Sequence, residues 1–400
     1  MQMKHYFFLL ALLLCFTSCN DNNDPDLPTN TEHTLLMYLP WSGDATESGG
    51  WYNLISYFYN NITDIENSIK KHGLSSERVL VFISTSPTKA TLFEIEHKKG
   101  QITRQTLKEY TNPAFTTAAG ITSILKDVIA FAPADKYSMT VGCHGMGWIP
   151  VQPSSRSYST EKMHWEYKNG PMTRYFGGSV TQFRTDISTF AQGISDAGIK
   201  MEYILFDDCY LSTVEVAYDL KDAADYIIAC PTEIMAHGMP YDLIGHYLLS
   251  NPDYESIVNT FYDFYSTYTY EGDPYPHGTI GVTRCAELDN LAKVMKEINS
   301  KYTFDTSLLN SIQDMDGYTP TIFFDCGDYV AKLCTDPGLL SNFREQLNRT
   351  VPYKAHTEYY YSSSSGKKKI NAYSGITISD PSVSSTASAK MNTAWYKATH

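Results

Sequence analysis

An α/β architecture, with a mainly parallel sheet covered by helices on both faces, is predicted by two features of this 400-residue chain. Its strand-like runs are continuously apolar instead of alternating, which is what burial on both faces requires. Between those runs lie stretches whose apolar residues repeat at helical spacing, so strands and covering helices alternate along the chain. In sheets of this kind ligands bind beyond the carboxyl ends of the strands. The residues that follow each apolar run are therefore where chemistry is expected.

The first run, residues 34–39, is closed by Pro40 and Gly43 and fits a buried strand. Helical patterning follows over 54–69. Residues 78–83 form a second strand, and 92–107, interrupted at Lys99-Gly100, reads as a hairpin. Ile121, Ile124, Leu125, Val128 and Ile129 share one helical face that Pro133 terminates. A strand beginning at Tyr137 then ends at His144. Residues 152–178 show neither period and read as a long exposed insertion, of the kind that is usually functional or flexible. Phe183, Ile187, Phe190, Ala191 and Ile194 define another helix, closed at Ala197-Gly198. A strand over 203–206 runs into Asp207, Asp208 and Cys209, and Leu211, Val214, Ala217 and Tyr218 predict a helix directly after that cysteine. A strand over 226–230 stops at Pro231. Beyond it, helices over 254–268 and 288–298 flank a strand at 279–283, and 373–378 is a late strand.

Charged residues make up 19% of the chain and apolar residues 42%, the composition of a folded globule. A formal charge of -13 without a concentrated basic face excludes a nucleic-acid partner. The one basic run, Lys367-Lys368-Lys369, follows four serines and Gly366 and reads as an exposed loop. No CxxC or HExxH pattern is present, so a metal site has no support in the sequence.

Residues 1–18 have a basic start at Lys4, an apolar run and the small pair Thr17-Ser18 before Cys19, which is a secretory signal in form. The segment resembles a bacterial lipoprotein signal, with Phe16 where leucine is usual. That resemblance implies diacylation of Cys19, anchorage to a bacterial membrane through the N-terminal lipid, and an outer-membrane location facing the periplasm or the cell exterior. Ordinary secretion, with Cys19 as a spare thiol, is the competing reading. Residues 19–32 form a polar tether, residues 33–250 a first globular portion, and residues 251–400 a C-terminal α/β portion packed on it or continuing it. Six cysteines remain after Cys15 and Cys19, and their sparse placement in apolar runs suggests free, buried thiols.

Cys209 sits where a nucleophile would be mounted. A helix starting behind it would favour the thiolate through its aligned dipoles, whereas Asp207 and Asp208 oppose that charge. Strand alternation turns the two acids to opposite sides and leaves Asp207 on the face of the thiol, where it could pair with a basic substrate group. His144 supplies a proton donor beside Gly145 and Gly147, whose backbone can approach a substrate closely. The amide of Gly145 could hold an oxyanion.

These residues resemble the clostripain family of cysteine peptidases, which are caspase-like in fold. The resemblance rests on His144-Gly145-x-Gly147-Trp148 after a strand, on Phe206-Asp207-Asp208-Cys209 before Val214-Glu215-Val216-Ala217-Tyr218, and on Pro231-Thr232-Glu233 leading to Gly238-Met239-Pro240-Tyr241. It implies a caspase-like three-layer sandwich with the peptidase domain over 33–250. It implies further that Cys209 attacks a peptide carbonyl, that His144 protonates the leaving amine, and that the amides of Gly145 and Cys209 receive the oxyanion. Cleavage after Arg or Lys would follow from Asp207. Some relatives carry a second acid just before the Gly-Met-Pro-Tyr segment, where this chain has His237, a possible pocket residue. The family also suggests self-cleavage between His144 and Cys209, with Arg156, Lys162, Lys168, Arg174 and Arg184 as candidate sites. Some relatives need calcium; the scattered acids here form no EF-hand loop, so no cofactor is named and calcium stays open. Two rivals compete. Val141-Gly142-Cys143-His144-Gly145 partly resembles the nucleophile elbow of α/β-hydrolases, without its first glycine and without a following helix. A catalytically weak or inactive surface lipoprotein that binds peptide or glycan is the other. Apart from that possible pocket role for His237, the histidines His164, His237 and His277 read as loop or surface residues.

Overall fold

The computed structural model describes residues 31–50, 53–151 and 177–400. The expected signal segment, Cys19 and the candidate cleavage sites Arg156, Lys162, Lys168 and Arg174 lie outside the described residues, as does His164. The chain runs β1 (Thr31–Leu39), α1 (Ile55–His72), β2 (Glu77–Ser86), β3 (Lys89–Lys98), β4 (Gln101–Thr111), α2 (Ala118–Phe131), β5 (Ala134–Val141), α3 (Ile187–Ala197), β6 (Met201–Phe206), α4 (Val214–Leu220) and β7 (Ala224–Ala229). It continues through α5 (Tyr241–Ile244), α6 (Tyr254–Ser266), a small hairpin of β8 (Thr269–Tyr270) and β9 (Asp273–Pro274), β10 (Thr279–Arg284) and α7 (Leu288–Lys301). Last come β11 (Phe324–Asp325), α8 (Cys326–Leu333), α9 (Pro337–Thr350), β12 (Tyr353–His356), β13 (Tyr359–Ser362), β14 (Gly366–Lys369), β15 (Thr377–Ile378), α10 (Ser385–Ser388) and α11 (Ala394–Thr399).

Nine strands form one sheet in the order β12-β10-β7-β6-β5-β1-β2-β3-β4. The five inner strands β7, β6, β5, β1 and β2 run parallel, and the pairs at either end are antiparallel to their neighbours. Residues 35–39 of β1 and 79–83 of β2 are buried without alternation, because helices cover the sheet on both sides. Those helices pack in two groups, one of α1, α5 and α6 and the other of α2, α3 and α4 continued by α11, α7 and α9. The outermost strand β4 is mostly exposed and carries Arg, Lys, Glu, Gln and Thr, which blunts the free edge.

Local signals explain the ends of several elements. Lys99 and Gly100 both have positive φ (54° and 77°), the two-residue turn that a twisted hairpin prefers. Thr117 caps α2 by accepting the amide of Gly120, and Gly198, left-handed at φ 80°, closes α3.

Several elements depart from expectation, beginning with β5, which ends at Val141 and leaves His144 in the loop beyond it. The helix behind Cys209 begins only at Val214, because Thr213 caps it by accepting the Val216 amide, and Leu211 is in the intervening loop. Phe183 belongs to a separate short turn, since Arg184 is extended before α3 begins. The late strand shrinks to β15, where Gly375 at φ 78° interrupts the extended chain. Finally, the basic run is not a loop but β14, its lysines drawn to Tyr359, Asp314 and Glu358 on neighbouring segments.

The six cysteines of the globule are all buried. Among the described residues there is no cluster of three or more metal-ligating side chains, and no helix is long and apolar enough to cross a membrane.

Candidate active site

β5 and β6 are parallel neighbours with Val141 opposite Phe206, so the residues that leave their carboxyl ends emerge together. The Asp207 amide donates to Val141 O at 2.8 Å and carries the ladder one step beyond the strands. From there the two chains stay in contact. A Cβ added to Gly145 would lie 2.2 Å from Cys209 O and 3.0 Å from Asp208 Cβ, so only a glycine fits between the loop of His144 and the loop of Cys209. Gly147 repeats the arrangement one step on: its φ is +58°, and a Cβ there would meet Tyr210 O and Phe323 at 2.9 Å. His144 and Cys209, three residues beyond their strands, thus occupy adjoining loops, and both are almost fully buried, with exposures of 3% and 1%.

The two carboxylates part as alternation predicts. Asp208 Oδ1 accepts the Cys143 amide at 2.6 Å and pins the loop that leads to His144. Asp207 Oδ1 accepts the Met239 amide at 2.9 Å, on the opposite loop. Asp208, without a role in the sequence, therefore couples the two loops directly. Cys143 is sealed: its Sγ accepts the Gly177 amide at 3.0 Å, and the His144 amide donates to Gly177 O at 3.3 Å. Among the described residues directly behind Cys143, 144–151, no helix begins, which removes the elbow geometry.

Cys209 Sγ receives the Ile234 amide at 3.3 Å and, as a thiol, faces Ile234 O at 3.8 Å. Tyr210 is left-handed at φ 60°, uncommon for a residue with a side chain. Its surroundings hold it there: the ring stacks on Phe323 at 5.2 Å and the hydroxyl donates to Glu233 Oε1 at 2.7 Å. Burial, and then the charge of Glu233, raise the Tyr210 hydroxyl well above the ordinary phenol range, so it stays a donor. Phe323 sits on a loop organised by Asp316, which accepts the amides of Tyr318, Ile322 and Phe323 at 2.9, 2.6 and 2.8 Å. Burial outweighs those bonds and pushes the Asp316 carboxyl up to about 7.

His237 is half-buried. Its ring stacks on Phe264 of α6 at 5.0 Å, and its carbonyl accepts Asn61 Nδ2 at 2.9 Å. Gly238 turns the chain at φ 78°, so that Met239 reaches Asp207. His277, expected near the surface, is buried and stacks beside Tyr361, because it lies where the chain bridges to Tyr359. Arg184, the one candidate cleavage residue within the described chain, donates to Gly178 O and Ser179 O.

The C-terminal residues reach the same place. Trp148 Nε1 donates to Ser379 Oγ at 2.8 Å, and the Ser379 amide donates to Glu215 Oε1 at 3.1 Å. Lys390 pairs with that Glu215 oxygen at 3.1 Å inside the protein. Thr377 bridges to Thr213, and Ser212 Oγ donates to Gly375 O at 2.8 Å. Sequence reading missed Tyr210, Glu233, Asp316, Ser363 and Lys390. Glu233 enters the sequence reading as part of the Pro231-Thr232-Glu233 block, without a role of its own.

A model of the clostripain family matches residues 48–394. A secreted C11 cysteine protease from Bacteroides thetaiotaomicron, called iotapain, is similar at 57% identity with a TM-score of 0.83, over 93% of this chain and 100% of that one. A clostripain from Bacteroides thetaiotaomicron ATCC 29148, solved with the peptide inhibitor BTN-VLTK-AOMK, is 62% identical over 56% of this chain and 99% of that one, with a TM-score of 0.55. An inactive zymogen C11 protease from Parabacteroides distasonis is 25% identical, with a TM-score of 0.74 over 93% of this chain and 99% of that one. No curated protein matches the chain.

Proposed function

This chain belongs to the clostripain family and is a cysteine endopeptidase; from that premise we propose that Cys209 and His144 are its catalytic dyad and that it cleaves after Arg or Lys. One observation carries the reading: the two loops touch at Gly145, where a single methyl group would collide with the Cys209 carbonyl. In the proposed reaction the Cys209 thiol gives its proton to His144, and the thiolate attacks the carbonyl carbon of the scissile peptide. The oxyanion that forms is received by the amides of Gly145 and Cys209. His144 returns the proton to the departing amine as the C–N bond breaks, leaving a thioester on Cys209. Water, deprotonated by His144, attacks that thioester and expels the thiolate with the acid product.

Asp207 is the proposed partner of the basic side chain before the scissile bond. The Met239 amide fixes one of its oxygens, and a carboxylate has capacity for further donors. The inhibitor held by the Bacteroides clostripain carries a peptide written VLTK, which ends in lysine. His237 is assigned to the pocket wall, stacked on Phe264. For self-cleavage we assign the stretch holding Arg156, Lys162, Lys168 and Arg174, since the Arg184 guanidinium is taken up by two carbonyls. Export with diacylation of Cys19, and outer-membrane anchorage, complete the proposal; a similar protease is described as secreted.

Reporter peptides ending in Arg or Lys, together with mass spectrometry of the purified chain, test this reading. Cys209→Ala should abolish hydrolysis and self-cleavage while Cys143→Ala keeps both. The reverse pattern would move the nucleophile to Cys143. In the same assay Asp207→Asn should lower turnover of Arg and Lys reporters far more than it lowers the melting temperature, and unchanged preference would remove its role.

A further inference from the structure

We propose that Glu233 is a positioning residue for the nucleophile: it holds the Ile234 amide against Cys209 Sγ, so that one peptide N–H stabilises the thiolate where a helix dipole does not. The inference rests on Cys209 being the nucleophile. Helix α4 starts at Val214, and its N-cap is completed by Thr213, so its dipole does not begin at the thiol. Asp207 and Asp208 beside Cys209 disfavour a negative sulfur. Ile234 N donates to the sulfur at 3.3 Å.

That amide belongs to an irregular segment after β7, so its direction is set by what grips the segment. Tyr210 N donates to Thr232 O at 3.1 Å, and Ser212 N donates to Cys230 O at 3.1 Å. Thr232 Oγ1 and Thr279 Oγ1 are 2.7 Å apart. The strongest grip is on Glu233, 4% exposed, immediately before Ile234. Its Oε1 accepts Tyr210 O–H at 2.7 Å, Ser363 N at 2.9 Å and Ser363 Oγ at 3.0 Å. Three donors on Oε1 offset part of the charge of a buried carboxylate that would otherwise work against a thiolate nearby. Its use is therefore geometric: the carboxylate joins the residue after the nucleophile, the β13–β14 hairpin and the segment that presents the amide.

The test follows iodoacetamide alkylation of Cys209 in the purified chain across pH, with the modified residue located by mass spectrometry. Glu233→Ala and Tyr210→Phe should move the midpoint of alkylation up by about one pH unit, so that labelling on the acid side slows by about tenfold while the high-pH limit is kept. Glu233→Gln, which retains an oxygen for the same donors, should restore the wild-type midpoint. A merely structural role would lower the melting temperature without moving the midpoint. An unchanged midpoint in both Glu233→Ala and Tyr210→Phe overturns the proposal; where Glu233→Ala does not fold, Tyr210→Phe decides alone. Wild-type protein in which Cys209 is never alkylated sinks the dyad itself, a result distinct from labelling with an unmoved midpoint.

Discussion

On one side of β1 the sheet runs out through β2, β3 and β4, consecutive in sequence and joined at the far end by a tight turn. On the other side, beyond β7, it is completed by β10 and β12, with α7, α8 and α9 falling between them. The first flank secures itself locally: Arg104 on β4 bonds Glu66 of α1, and Lys108 bonds Asp127 of α2. The second flank and the tail that follows it work at a distance. Ser363 reaches Glu233, Ser379 reaches Trp148 and Lys390 reaches Glu215. One flank closes an edge, whereas the other braces the loops of His144 and Cys209.

Disrupting each flank in turn tests that contrast. The largest effect is expected from Lys390→Met, which strands the carboxylate of Glu215, 0% exposed, without its cation. Removing one partner of a buried pair costs about 3–5 kcal/mol, read as a lower urea midpoint. Because Glu215 also receives Ser379, which holds Trp148, peptidase activity should fall with it; stability lost with full activity retained would break the claimed brace.

A middle-sized effect concerns the seam. His33 on β1 bonds Ser138 Oγ of β5 at 2.8 Å and accepts the Ser250 amide, from the chain after β7, at 3.3 Å. Burial lowers its pKa from 6.5 to about 4, with Glu77 opposing and Lys136 adding to the shift. Below pH 6.5 the unfolded chain takes up a proton that the folded chain refuses until about pH 4. Stability is therefore complete above the window and is lost as pH falls through it, by roughly 3 kcal/mol. Thermal melts at both ends of the window should show a shallower slope for His33→Gln, and an equal slope would place the titration elsewhere.

The smallest effect belongs to the local flank. Arg104→Ala removes a partly exposed pair and should cost about 0.2–1 kcal/mol, with turnover unchanged. A marked loss of turnover would erase the distinction between the flanks.

Legibility follows the same division. The hairpin could be read because its turn is written in two adjacent residues, Lys99 and Gly100. The inner strands could be read because burial on both faces leaves uninterrupted apolar runs, and these led to His144, Asp207 and Cys209. Glu233 meets Ser363 across 130 residues and Trp148 meets Ser379 across 231, distances over which no periodicity operates. The helix behind Cys209 was placed too early because Leu211 and Val214 fit its apolar spacing, while the stop signal was a capping threonine whose hydrogen bond only the fold reveals. The lysines of β14 looked like a loop because their partners are an aromatic ring and acids on other segments.

The reach of Ser379 and Lys390 has a consequence for timing. Chains fold from the N-terminus as they are synthesised, and Cys209 and His144 leave the ribosome well before these two residues. Until residues 375–390 arrive, Trp148 lacks its serine and Glu215 lacks its lysine. A chain that stops short of these residues would hold the proposed dyad without the frame that aligns its loops, so proteolytic competence is expected only once residues 375–390 have been made.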